Sequence, residues 1–447
     1  MPRYGYYDAV VVGAGFAGLS AAHELVRAGL STRVLEARPR VGGRVLTRYL
    51  PDGTQLDLGG QWIGPTQLNI TELVHRYGIE TYPTPGEGAM IVDYGGERLT
   101  GSPPEIAELL AEIDAMARQV PVAEPWNAPR AAEWDRHTFA SWIADRGCSQ
   151  VAARFLDRVI SGGLLAGSAN ETSVLETLFY IASAGGVEPL LGYEGAAQDT
   201  RIVGGAQEIA NRMAADLPAG TVHLSDPVLR IEHDGSGARL VTRLGEHWAS
   251  RVIIAVPPML AGRIQYDPPL PGLREGAFQR MPAGTALKVH AVYPEPFWRA
   301  DGFSGVARST SGVLTETVDN TPPNSPRAVL TAFAYGEEAI LLRRRDAAER
   351  RRIVLAQLGE LFGERALEPD ELVEFDWLAE EWTRGCFSGH FIPGGWTSFG
   401  AVLRAPVGAL HWACTETAVR WNGYFDGAVE SGRRAADEVR AALSGQS

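Results

Sequence analysis

The apolar positions change period twice within the first thirty-five residues. Ala9-Val10-Val11-Val12 is an unbroken apolar run suited to a buried parallel strand over Asp8–Val12, and it stops at Gly13-Ala14-Gly15-Phe16-Ala17-Gly18. Leu19 to Ala28 has helical composition and is closed by Gly29; Thr32 to Leu35 then reads as a second strand ending at Glu36. Further on, Pro104 to Val120 sets Ile106, Leu109, Leu110, Ile113, Met116 and Val120 at helical spacing. Phe139–Asp145, Ala152–Ile160, Ser173–Ser183 and Ala206–Leu217 are further helical candidates. They predict a mostly helical insert over residues 86 to 200, with proline-rich Pro121–Arg130 as a surface crossing. Strand vocabulary returns in Thr221–Leu224, Val228–Glu232 and Arg239–Arg243, which read as a small meander, and in Arg251–Val256. A second insert holds the strand-like runs Ala286–Tyr293, Ala328–Ala334 and Leu372–Trp377, with helical spacing over Asp346–Phe362. Gly427 to Leu443 reads as a closing helix with small residues on one side.

This order predicts an α/β fold, α+β overall. A discontinuous, Rossmann-like nucleotide-binding domain is interrupted by a mixed-sheet and helical substrate domain. The expected cofactor domain takes residues 1–85, 203–285 and 380–447; the substrate domain takes 86–202 and 286–379. No repeat of fixed period and no low-complexity tract interrupts the pattern.

Length fits the two-domain reading, because 447 residues is about three typical domain lengths. Apolar residues at 45% and charged residues at 21% describe a folded chain rather than a disordered one. No stretch approaches the length of a membrane-spanning helix, and the start runs into a strand without a secretory leader, so a soluble protein is expected. Net charge of -13 argues against nucleic acid or anionic membrane as a partner. Cys148, Cys386 and Cys414 are odd in number and widely spaced; they suggest neither a metal site nor a disulfide framework, and fit a reducing, cytoplasmic compartment. Lys288 is the one lysine among 41 basic residues, and so isolated a lysine needs its own explanation.

The glycines carry the first chemistry. Gly13 permits a tight turn, Gly15 lets backbone approach a pyrophosphate, and Gly18 allows the helix to pack closely on the strand. The helix N-terminus would stabilise phosphates, and Glu36 would accept hydrogen bonds from a ribose diol. Taken alone, the motif is weak evidence, with a plain structural turn as the lesser alternative; the strand–turn–helix–strand–acid order makes nucleotide binding the better reading. Arg40-Val41-Gly42-Gly43-Arg44 adds a second glycine turn able to bring Arg44 against phosphate oxygens. Gly59 and Gly60, followed by Gln61 and Trp62, supply another close-approach pair beside an aromatic, and together these favour FAD over NAD. Gly423 and Gly427 would let the closing helix approach a cofactor, where its dipole suits an electron-rich flavin ring, although such patterns also serve as plain turns.

In combination the segments resemble the flavin-dependent monoamine oxidase family of amine oxidoreductases. The resemblance rests on Val12 to Leu19, Glu36-Ala37-Arg38, Val41 to Arg44, Leu58 to Gln67, Val203 to Gln207, Val252 to Pro258 and Lys288. It continues through Trp377 to Cys386, Arg404 to Val407, Thr415 to Ala418, Trp421 to Tyr424 and Gly427 to Val429, spanning residues 8 to 439 in family order. It implies that Glu36 is the adenosine-ribose acid, Arg44 the phosphate arginine, and Val228 a backbone contact on the adenine side. By the same resemblance Trp377 would pack beside the isoalloxazine, and Lys288 would reach flavin N5 through a water. Phe387 and Tyr424 would be the aromatic pair flanking the substrate amine, Gln198 a polar pocket residue, and Leu191 would lie near the gate. Arg38, Thr415, Glu416, Trp421 and Phe425 complete the expected cofactor set. Cys386 takes the flavin-contacting position, with a thioether to the flavin 8α-methyl carbon or a small buried thiol as its two open states. Three departures stand out: Phe387 replaces the common tyrosine, Cys414 the usual glycine, and no C-terminal anchoring helix follows.

The implied reaction is FAD-dependent oxidative deamination of a small amine, a monoamine for preference. O2 and water are consumed, giving an aldehyde, ammonia or a smaller amine, and hydrogen peroxide. The amine would lie between two aromatic faces, with Lys288 stabilising charge as oxygen is activated. A di- or polyamine oxidase is the alternative; it needs an acid for the distal ammonium, and Glu188, Glu194 and Glu316 are candidates. An L-amino-acid oxidase usually has an arginine near the second glycine pair, and Gly60 to Asn69 contains none. A non-catalytic FAD scaffold is the remote option, and the oligomeric state stays open, a homodimer included.

Overall fold

The computed structural model describes residues 5–99, 101 and 103–445. Strand β1 (Tyr6–Val12), helix α1 (Phe16–Arg27) and strand β2 (Thr32–Leu35) follow in order, with β1 and β2 paired in parallel so that Val12 lies opposite Leu35. Val222–His223 extends the parallel set beyond β2, and Glu246–Ile254 pairs with β1 on its other side. From there the sheet turns antiparallel through Ala238–Thr242 and Val228–His233. Leu410–Trp412 pairs parallel to Glu246–Ile254 and Gln265–Asp267 parallel to Val228–His233.

The unbroken apolar run of β1 has a direct cause, since both faces of the strand are covered. Ala9 and Val11 pack with α1 and with the closing helix Phe425–Ser444, while Val10 and Val12 pack with Ile231, Leu240 and Trp412. Gly18 holds α1 close to the strand: a β-carbon there would stand 1.9 Å from the Gly13 carbonyl oxygen.

A second, seven-stranded sheet runs Glu371–Phe375, Ala286–Tyr293, Ala328–Tyr335, Glu316–Asp319, Phe303–Ser309, Ala89–Tyr94 and Glu97–Leu99. All neighbours are antiparallel except Phe303–Ser309 with Ala89–Tyr94. Every residue of Ala286–Tyr293 is buried, and side-chain alternation splits the strand between two environments. Leu287, Val289 and Ala291 pack on Val354, Leu358 and Phe362 of the helix Ala347–Phe362, whereas Ala286 and Lys288 face a cavity. A third core is helical and includes Pro104–Ala117, Phe139–Asp145, Gln150–Leu156 and Val174–Ser183. Thr138, Ser149 and Ser173 cap the last three by accepting from backbone N–H groups.

Four expectations change. Thr221–Leu224 does not belong to the meander: Val222–His223 is the outer parallel strand, and Glu246–Ile254 completes the meander instead. The insert after residue 86 starts with a strand pair turned at Gly95 and Gly96, before its helices begin. The helix expected over Ala152–Ile160 ends at Leu156 and continues as a π-helical turn, Asp157–Gly162, which closes at Ala166 with φ 52°. Phe303–Ser309 and Glu316–Asp319 were hidden by small and polar residues that carry little period-two signal. Among the described residues, no helix is long and apolar enough to cross a membrane, and no His/Cys/Asp/Glu group has metal-site geometry.

Candidate active site

One cavity runs from the C-terminal ends of β1 and β2 to the inner face of the second sheet. Its first part is walled by backbone. Gly13 has φ +104° and Gly15 caps α1 without a side-chain hydrogen bond, leaving the first N–H groups of the helix without a capping side chain. A β-carbon on Gly15 would meet only the Cα of Gly43, 3.9 Å away, so two glycine turns face each other with no side chain between them. Glu36 is buried there, and its carboxylate accepts from the N–H of Ala14 at 2.8 Å and of Arg38 at 2.9 Å. Arg38 is tied to Glu380 and Thr383, while Val228 forms part of the same wall.

The middle of the cavity holds Lys288. Its Nζ donates to the carbonyl oxygens of Asp57 at 2.5 Å and Gly59 at 2.9 Å, and to Gln61 Oε1. These three acceptors use all three protons of an ammonium. A water beside Nζ is therefore served only when one bond opens, or when the amine is neutral and offers its lone pair. Burial pulls the Lys288 pKa down to about 7; the Asp57 carboxylate opposes this and the Arg201 guanidinium adds to it. Asp57 and Arg201 are themselves a fully buried ion pair at 2.9 Å. Trp62 and Phe333 line the cavity beside the lysine, and Trp377 is fixed by its indole N–H on the Leu58 carbonyl at 2.8 Å.

Phe387 and Tyr424 reach the same cavity from the C-terminal segments, as do Thr415 and Phe425. The backbone bends sharply before Phe387: Arg384, Gly385 and Phe387 have φ of 54°, 156° and 57°. Arg44 holds this bend, donating from Nη1 to the Phe387 carbonyl oxygen at 2.7 Å. Cys386 is buried with Sγ 3.4 Å from the Gly284 carbonyl oxygen, and burial pushes its thiol up to about 12. Tyr335 meets the Phe387 ring edge-on at 5.7 Å and donates its hydroxyl proton to Glu316. Burial pushes the Glu316 carboxyl up, with the Tyr335 bond and the Arg308 charge opposing. Behind Tyr424 lies Tyr180, backed by a buried chain in which Glu176 contacts His390 at 2.8 Å and His390 contacts Ser388 at 2.9 Å.

Gln198 and Leu191 also line the cavity; Gln198 Nε2 donates to the Leu190 carbonyl and the Leu191 carbonyl accepts from Arg308. Three expected cofactor contacts stand outside the lining. Gly18 packs helix on strand, and Glu416 lies behind Arg44 in an ion pair. Trp421 bonds the Thr66 carbonyl and supports the Tyr424 ring at 5.0 Å. Of the three candidate acids, Glu316 lines the cavity and Glu188 and Glu194 do not. Tyr180, Tyr193, Arg308 and Tyr335 are cavity residues that sequence reasoning passed over, since nothing local distinguishes them from core aromatics or a surface arginine.

Comparison with known proteins identifies a family. The profile of flavin containing amine oxidoreductases matches residues 16–440. The chain is 40% identical to the putative flavin-containing monoamine oxidase AofH of Mycobacterium tuberculosis, over 98% of this chain and 97% of that one. It is 38% identical to the putrescine oxidase of Kocuria rosea, over 98% and 96%. A putrescine oxidase solved with putrescine bound superposes with a TM-score of 0.94 at 38% identity, covering 98% of this chain and 100% of that one. It belongs to a redesign of cofactor binding that includes an alanine-to-cysteine variant.

Proposed function

The chain belongs to the family of flavin containing amine oxidoreductases and is an amine oxidase that uses FAD and O2; from that premise we propose that its preferred substrate is a small diamine whose distal ammonium is held by Glu316. The observation that carries this reading is a half-buried carboxylate in the cavity, one ring beyond Phe387, that accepts from Tyr335 and closes no ion pair among the described residues. A carboxylate drawn out of water with no cation in ion-pair contact and only the Arg308 charge nearby is costly, and an arriving ammonium supplies the missing contact. Glu188 and Glu194 lie outside the cavity, which leaves Glu316 as the acid of the three suited to this role. The likeness to putrescine oxidases supports the diamine reading, and the preference for a monoamine drawn from the sequence gives way to it. The likeness to AofH and the apolar side chains Val159, Leu164 and Leu190 favour the monoamine as the second reading.

FAD suits the residues present. The side-chain-free gap between Gly15 and Gly43 and the uncapped start of α1 suit a pyrophosphate, and Glu36 suits a ribose diol. Val228 would meet the adenine side; Arg44, Gly59, Gly60, Gln61, Trp62, Trp377, Cys386, Thr415 and Phe425 would surround the remainder. Bound FAD would accept the two electrons of the substrate α-C–H bond and pass them to O2, giving hydrogen peroxide. The chain's own part is orientation and charge. Phe387 and Tyr424 would hold the reacting amine between two faces, and Glu316 would set its distance from the lysine. Lys288, as an ammonium, would stabilise negative charge arising during oxygen activation. Water then hydrolyses the imine product to an aldehyde and ammonia.

A peroxide-coupled assay with putrescine, butylamine, an aromatic monoamine and L-amino acids tests the reading. Putrescine should exceed butylamine in kcat/KM by about 100-fold, the value of one desolvated charge contact. Equal kcat/KM for putrescine and butylamine would overturn it, and turnover of amino acids alone would assign the cavity arginine, Arg308, a carboxylate-binding role.

A further inference from the structure

Gln61 and Asn320 face each other with both amide hydrogen bonds made. Gln61 Nε2 donates to Asn320 Oδ1 at 2.7 Å, and Asn320 Nδ2 donates to Gln61 Oε1 at 3.1 Å. Both side chains are buried. Asn320 is also fixed through its backbone: its N–H donates to the Val329 carbonyl at 2.7 Å, and its own carbonyl accepts from Arg201 Nη1 at 2.7 Å. Its side chain makes no hydrogen bond other than those to Gln61.

The same Gln61 oxygen accepts the third proton of Lys288. The other two acceptors are the carbonyls of Asp57 and Gly59, which are held by the chain. Gln61 is therefore the one acceptor able to turn. A primary amide presents an oxygen or an NH2 group after a half-turn, and these suit opposite states of an amine. Oxygen matches an ammonium, whereas NH2 matches a neutral amine offering its lone pair. Turning Gln61 alone would set NH2 against NH2 and oxygen against oxygen at Asn320, so the two amides must turn together.

We propose that Asn320 is a positioning residue for Lys288: its paired amide locks Gln61 with the oxygen towards the ammonium, and a concerted turn of both amides accommodates the neutral lysine. The proposal rests on reading Lys288 as the flavin-side lysine. The charged and titratable groups around Lys288 are Asp57, Arg201 and His290, each on its own strand or on the lysine's own, and all are buried. The amide pair carries no charge, so its effect is one of orientation and is separable from theirs.

The sequence provides a direct probe, because Lys288 is the sole lysine. Holoenzyme labelled with lysine carrying carbon-13 at the ε position gives one resonance, and its pH titration reports Lys288 alone. Asn320→Leu should lower the midpoint by about half a pH unit or more, the scale expected for losing a fixed acceptor. Gln61→Leu should lower it too, and the double variant should match Gln61→Leu, since Asn320 acts through Gln61. An unchanged midpoint in Asn320→Leu, or additive shifts in the double variant, would overturn the proposal. An unfolded variant would betray itself by a midpoint near about 10.4, the free-lysine value, and Asn320→Ser, too short to reach Gln61, then replaces it in the same cycle. Reoxidation of the reduced flavin, followed against pH, separates the two readings. A profile that moves with the resonance supports both, whereas a resonance that shifts under a fixed profile keeps the role of Asn320 and rejects the flavin-side placement of Lys288.

Discussion

Arg44 and Glu416 are joined by two parallel hydrogen bonds, Nη1 to Oε1 at 2.6 Å and Nη2 to Oε2 at 3.0 Å. The pair ties the second glycine turn to the C-terminal chemistry, because Glu416 Oε1 also accepts from the Gly389 N–H at 3.1 Å. Burial pushes the Glu416 carboxyl up, but the Arg44 charge and the bonds it receives hold it below its ordinary value; Arg44 is correspondingly held above its own.

Removing the cation should cost more than the hydrogen bonds. Arg44→Met leaves a buried carboxylate unpaired, and urea unfolding of the holoenzyme should show a loss of about 3 kcal/mol or more. The pH dependence should invert. With Glu416 depressed, the pair's contribution is present above the unfolded carboxyl pKa and is lost as pH falls through the lower, folded value. Without Arg44 the burial effect dominates and raises that folded value, so the variant gains stability as pH falls from neutrality. Parallel stability curves for the two proteins would show that the pair does not set the Glu416 charge.

Lys288→Met should leave FAD bound and slow the reaction of reduced flavin with oxygen by about 100-fold, the scale of one preorganised charge. In the wild type this rate should fall as pH rises through about 7, because the ammonium is the active form and burial has lowered its pKa to that region. Stopped-flow reoxidation should show that limb in the wild type and a flat profile in the variant.

Tyr424→Ala should lower the single-turnover rate of flavin reduction more than Phe387→Tyr does. The first change removes one wall of the amine slot and the ring packed on Tyr180; the second keeps both rings and adds a hydroxyl. The reverse order would remove both residues from the substrate-holding role.

Glu316→Gln should raise KM for putrescine by about 100-fold and leave a monoamine nearly unaffected, since only the diamine brings a second ammonium. The raised carboxyl value of Glu316 means that its anion is lost as pH falls. Putrescine KM in the wild type should therefore rise on acidification before any ordinary carboxylate would titrate, and this limb should vanish in the variant.

Cys386 allows a simple test of cofactor attachment. If the Cys386 thiol is linked to the flavin, acid-denatured wild-type protein keeps its yellow colour, with the flavin on the peptide that contains Cys386, and Cys386→Ala releases free FAD. A wild-type intact mass without a flavin adduct would mean that the thiol stays as it lies, pushed up to about 12 against the Gly284 and Ala286 carbonyls.

Local order in the chain explains which of these features were readable beforehand. The Gly13–Gly18 turn and Glu36 belong to one contiguous strand–helix–strand unit, and Ala286–Tyr293 is a run buried on both faces, so both stand out from sequence alone. Lys288 was conspicuous through the scarcity of its kind. The contacts that tune the site were not legible. Gln61 and Asn320 are 259 positions apart, and Glu176 and His390 are 214 apart. Glu416 and Trp421 sit in motifs beside the cavity yet act through Arg44 and Tyr424, a distinction between touching and supporting that a motif does not encode. Glu316 had the right chemistry for an ammonium, but so did Glu188 and Glu194 until the second sheet turned one of them inward.

The confinement of the single lysine to the cavity also bears on how the enzyme tolerates its own product. Aldehydes condense readily with primary amines and poorly with guanidinium groups, and every other cationic side chain here is an arginine or a histidine. The one ε-amine is 7% exposed and already engaged by three acceptors. An aldehyde accumulating in the medium thus meets arginines rather than lysines on this sequence's exterior, and the one side-chain amine is already engaged inside.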